Sequence, residues 1–86
     1  MVKRINPMNE KLHIGNLIKT ELKNQGRSIT WLSAQIGYSR VHIYKILQKE
    51  WIYTDLLLKI SIVLQYDFFK HYSNYLNSKI FCDVEK

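Results

Sequence analysis

SITWLSAQIGYSRVHIYKILQ, Ser28 to Gln48, is the stretch that decides how the rest of this chain is read. Leu32 and Ile36, then Ile43 and Ile46, recur at the spacing of an apolar helix face, and Gly37 stands between the two runs. Glycine tolerates the left-handed backbone that a one-residue corner needs, so the first helix is expected to end there. Ser39 follows with a hydroxyl able to accept from backbone N–H groups two or three residues on, a cap worth about 1 kcal/mol, and so opens a second helix. The segment reads as two short helices meeting at a tight turn, with the second presented outward.

That second helix, Arg40 to about Lys49, is asymmetric. Ile43, Ile46 and Leu47 share one face, while Arg40, Val41, Tyr44, Lys45 and Gln48 occupy the remaining two-thirds of the wheel. Once the apolar face is buried, a cationic, hydrogen-bonding face is left outside. Arginine, lysine and glutamine are side chains able to read base edges in a major groove about as wide as one helix.

Leu32-Ser33-x-x-Ile36-Gly37-Tyr38-Ser39, with Ile43 and Ile46 on the next helix, resembles the helix-turn-helix of the lambda-repressor-like (XRE-type) DNA-binding family. The resemblance extends over flanking helices from roughly Ile14 to Leu76. It implies an all-α fold, a compact bundle of about five helices, in which the second helix of the pair enters the major groove and proteins dock as two-fold dimers. Carried over by position, it implies base contact by Ser39, Arg40, Val41 and Lys45, with Tyr44 and Gln48 at the margin. Backbone contact falls to Arg27, Ser28, His42 and Lys49. His42 is equally readable as a half-buried flank residue. The chain departs from the family at three places: Ser33 stands where alanine is usual, Ile29 where a phosphate-holding glutamine is common, and Leu47-Gln48-Lys49-Glu50-Trp51 replaces a Glu-x-Gly exit.

Composition supports one domain and narrows its partners. Eighty-six residues bury roughly 60–65% of the surface of the unfolded chain, and 47% hydrophobic with 23% charged residues argues against wholesale disorder. The net charge of +6 is unevenly placed. Residues 1–49 hold nine Lys/Arg against two acids, and residues 50–86 hold four against five, so the positive field belongs to the half with the central pair. Such a field draws in a polyanion and makes binding to duplex DNA steeply salt-dependent. Cys82 has no partner for an internal disulfide and no CxxC or Cys/His cluster appears, so no metal or cofactor is expected and a reducing, cytoplasmic setting fits. No apolar run approaches the roughly 20 residues of a membrane span.

Taken in order, Met1 to Met8 reads as a flexible arm, and the DNA-binding domain as residues 9–76. Asn9 is a possible cap for a first helix running to Gln25, with Ile14, Leu17, Ile18 and Leu22 on one face and Gly26 as its terminator. Trp31 lies off the Leu32/Ile36 stripe and is expected to cover a neighbouring helix or subunit. In the exit loop Lys49 to Tyr53, Trp51 and Ile52 are expected to anchor to the core. Thr54 is the expected cap of a fourth helix, Asp55 to about Gln65, so rich in Leu and Ile that it reads as a spine buried on several faces. Asp67 is the expected cap of a fifth, Phe68 to Leu76, whose Phe68, Phe69, Tyr72, Tyr75 and Leu76 exceed what one short helix buries locally; self-association into a homodimer through this aromatic helix is expected. The tail, residues 77–86, is open between strand, interface and disorder.

No phosphate loop, nucleophile elbow or paired carboxylates appear, so the chain does not read as an enzyme. Asp67 and His71, four apart, read as an ion pair rather than ligands. Two functions remain: a small transcriptional regulator that binds double-stranded DNA by sequence, or a protein-interaction module such as an antitoxin-like regulatory partner.

Overall fold

The computed structural model describes residues 12–84, and its first helix, α1, spans Ile14–Gln25. The 1–8 arm, the Asn9 cap and the last two residues of the tail lie outside the described residues. The cap of α1 is His13, whose Nδ1 accepts from the Asn16 amide at 3.0 Å. At the other end Gly26 is left-handed (φ 69°), with Gly26 N–H donating to the Lys23 carbonyl and Arg27 N–H to the Leu22 carbonyl. This pair of reversed bonds satisfies carbonyls that the helix itself cannot.

Four more helices follow: α2 at Ile29–Ile36, α3 at Arg40–Leu47, α4 at Thr54–Leu64 and α5 at Phe69–Val84. With no strand among the described residues, this is the small all-α bundle that the periodicity implies. Its core takes Ile14, Ile18 and Leu22 from α1, Leu32 from α2, and Ile43, Ile46 and Leu47 from α3. Ile52 from the exit loop, Leu57, Ile60 and Leu64 from α4, and Phe68 complete it. Spacings of three and four residues make one continuous stripe on each of α1, α3 and α4.

α1 and the exit loop after α3 are joined backbone to backbone. Ile14 N–H donates to the Glu50 carbonyl at 2.9 Å and Gly15 N–H to the Lys49 carbonyl at 3.1 Å, so two free donors at the start of α1 are met by the loop. The approach is so close that a Cβ on Gly15 would lie 2.1 Å from the Leu47 carbonyl oxygen. Glycine at this position is a packing requirement that no periodicity announces.

The second half departs from expectation in four ways. Thr54 is the first residue of α4, not its cap; Tyr53 takes that position and makes no side-chain cap bond. α4 is not buried all round, because Leu58 is 50% and Ile62 66% exposed: the described helices do not surround it. α5 begins at Phe69 and continues to Val84, so Phe68 lies just before the helix and fills the core while residues 77–84 are helical. Finally, His71 pairs not with Asp67 but with Tyr66, ring nitrogen Nε2 to hydroxyl at 2.9 Å. Tyr66 also packs on Phe68, with ring centroids 4.6 Å apart, and lies under the Lys70 ammonium at 4.7 Å. This aromatic knot stands at the point where α5 leaves the bundle.

α4 ends on Gln65 with φ 51°, the one positive-φ residue among the described residues that is not glycine. Its N–H donates to the Ile62 carbonyl and that of Tyr66 to the Ser61 carbonyl, the same closure as at Gly26. A side chain in left-handed backbone costs about 1–2 kcal/mol, part of which glycine returns through its greater freedom when unfolded. Gln65→Gly is therefore expected to stabilise the protein by about 0.5–1 kcal/mol. A rise in thermal midpoint of a few degrees checks it; an unchanged or lower midpoint would show the cap to be unstrained.

Candidate nucleic-acid interface

The corner between α2 and α3 is built from two capped ends. Gly37 is left-handed (φ 78°, ψ 24°), and both its N–H and that of Tyr38 donate to the Ser33 carbonyl, at 2.9 and 3.1 Å. Ser33 is buried and its hydroxyl turns back to the Thr30 carbonyl at 2.9 Å, so the small side chain at this position fits between the helices with its polar atom satisfied. On the far side Ser39 Oγ accepts from the His42 amide at 3.1 Å, opening α3. α2 is opened likewise by Ser28 Oγ, which accepts from the Trp31 amide at 3.0 Å.

Burial of Ile43, Ile46 and Leu47 sets the rotation of α3. Given that rotation, Ser39, Arg40, Val41, Tyr44, Lys45 and Gln48 all stand exposed. Val41 and Tyr44, 65% and 54% exposed, occupy the crest of the outward face. Arg40 lies at one edge and Lys45 toward the other, a turn and a half apart. His42 continues round that second side and is exposed, not the half-buried flank residue it could have been.

Arg27, Ser28 and Lys49 are also exposed, at the starts and ends of the elements flanking α3. The Arg27 guanidinium lies 4.2 Å above the Trp31 ring. A cation held over the ring face by the ring quadrupole is restrained, which pre-orders a long side chain. Trp31 is half-buried against the core, the covering role expected of it, and carries a cation on its outer surface. His42 is stacked on Tyr38, rings nearly parallel at 4.6 Å, a contact that restrains the imidazole. Ile29, at the position where the resembling family often has glutamine, packs against the core instead.

Trp51 corrects its expectation. It does not anchor the exit loop; Ile52 does, at 8% exposed, while Trp51 is 59% exposed and meets Tyr53 edge to face at 5.7 Å. Alternation in an extended loop, one side chain in and its neighbours out, accounts for this. Trp51, expected in the core, is instead one half of an aromatic pair beside α3. Among the described residues no group of three or more His, Cys, Asp or Glu is placed to hold a metal ion, and no helix is long and apolar enough to cross a membrane.

Comparisons of the chain with protein-family models, with curated proteins and with solved structures find no match.

Proposed function

We propose that this protein is a small transcriptional regulator that binds duplex DNA by sequence, with α3 lying in the major groove. The observation that carries the proposal is the rotation of α3: its apolar stripe is buried, and Arg40, Tyr44, Lys45 and Gln48 project together from a short helix that begins at a sharp corner. Such a rod has the width and the donors to engage base edges, while Arg27 and Lys49 at its flanks suit phosphates. The cationic bias of residues 1–49 supplies the long-range attraction.

Two-fold docking fits α5. Beyond Phe69 it presents Tyr72, Leu76 (55% exposed) and Ile80 (44%) at spacings of four, a stripe on a helix about 24 Å long for which the described chain has no cover. A homodimer through this stripe would set two copies of α3 against two half-sites.

Selection of bound duplexes from a random pool tests both parts, a palindrome being the expected product. On the selected duplex, Arg40→Ala is expected to weaken binding and to relax the preference at one base pair by about 1–3 kcal/mol, read by competition with single-base variants. Undiminished discrimination would remove Arg40 from base reading, and failure to enrich any sequence would remove the proposal.

The alternative, a protein-interaction module of the antitoxin-like kind, is favoured by one observation: Leu58 and Ile62 leave an apolar strip on α4, away from the core. Retention on duplex DNA at rising salt separates the two, since phosphate contacts are lost steeply with salt and apolar contacts are not.

A further inference from the structure

The aromatic pair Trp51 and Tyr53 does nothing for the core and nothing for the outward face of α3. It borders a groove of about 530 Å³ between the flank of α3 and the start of α4. One wall is a single stripe, Tyr38, His42, Lys45 and Lys49, whose spacing of three to four residues puts them in a row along α3 and its ends. Trp51 and Tyr53 line it too, together with Lys59, Asp55 and the apolar Ile46, Ile52 and Leu56.

We propose that this groove is a binding site for a planar aromatic anion, a ring system bearing one phosphate or carboxylate. The volume lies in the range of small-molecule sites, which are concave, mostly apolar and carry a few convergent polar groups. Three aromatic side chains, Tyr38, Trp51 and Tyr53, offer faces or edges to a ring. Three lysines against one carboxylate, Asp55, give the groove a net positive charge that selects an anion over a neutral ring. A tyrosine hydroxyl here can bond a phosphate, but the ring faces of Trp51 and Tyr53 find no partner on a docked duplex, which keeps its bases stacked inside. A free ring has no such constraint.

Lys45 and Lys49 belong both to this groove and to the contacts proposed for DNA, so the ligand and a duplex compete for them and the ligand lowers duplex affinity. This regulatory consequence, unlike the site itself, rests on the DNA-binding reading.

The test is a titration of the ¹⁵N-labelled full chain, without DNA, followed by backbone amide shifts and the Trp51 indole N–H shift. The probes are adenosine 5′-monophosphate and indole-3-acetate, with adenosine and inorganic phosphate as the separated halves. At least one of the two anions is expected to give saturable shifts confined to the groove, weakened at least tenfold by Trp51→Ala and by Lys49→Ala. Both residues are exposed, so the variants keep the native spectrum elsewhere. A response to one anion or to both supports the site.

Four outcomes would overturn the site: no saturable shift from either anion, phosphate alone reproducing them, adenosine binding equally well, or shifts centred on Arg40, Tyr44 and Gln48. The last would mark the nucleotide as a stand-in for DNA. Competition on a selected duplex then tests the regulatory part. A chain that binds the anion but no duplex refutes the DNA reading alone, and one that binds duplex without responding to either anion refutes this site alone.

Discussion

Gly15→Ala is expected to destabilise the protein by about 2–3 kcal/mol and to lower its thermal midpoint by roughly 10–20 °C. Helix propensity alone says the opposite: alanine in a helix is better than glycine by about 1 kcal/mol. The added methyl, however, would lie 2.1 Å from the Leu47 carbonyl oxygen, 2.6 Å from its carbon and 2.8 Å from the Lys49 oxygen. All three are backbone atoms, so no rotamer change can make room, and α1 must move away from the end of α3. Moving it lengthens the bonds from Ile14 N–H to Glu50 and from Gly15 N–H to Lys49, each worth about 1 kcal/mol. The sign of the effect is therefore diagnostic. A melt followed by circular dichroism that shows the variant as stable as the parent, or more so, would mean that α1 does not rest on this loop.

Phe68→Ala is expected to cost about 3–5 kcal/mol, the largest effect of any single truncation. Phe68 is wholly buried and the bulkiest of the fully buried side chains. A domain of this size has a total stability of about 4–13 kcal/mol, so the variant lies close to the unfolding threshold. Tyr66, which packs on the Phe68 ring, would lose its support. The contrast is Phe69→Ala, one residue on, where the side chain is half-buried and the expected loss is about 1 kcal/mol. Urea midpoints of the two variants check the ranking, and equal losses would contradict the placement of Phe68 in the core.

The two phenylalanines also show where sequence reading stops. Both are apolar, adjacent and at the start of a helix, and the 3.6-residue period cannot say which of two neighbours the chain turns inward. That depends on where α4 ends, and α4 ends at Gln65, a residue without the glycine signal that marked the ends of α1 and α2. The same ambiguity misplaced Trp51: in a short extended loop, sides alternate, and bulk suggested burial while the register put Ile52 inside.

Composition and periodicity by themselves determined the class of fold, the four inner helices, the corner at Gly37 and the outward face of α3. Each of these follows from local rules: an apolar stripe must be buried, a glycine ends a helix, a serine starts one, and what is not on the stripe is left outside. The tertiary structure alone decided that α1 needs glycine where it meets the backbone after α3, that α4 keeps Leu58 and Ile62 outside, and that Trp51 and Tyr53 border a cationic groove. These depend on the distance between segments remote in the chain. A pattern read along one helix holds no information about how near another backbone will come.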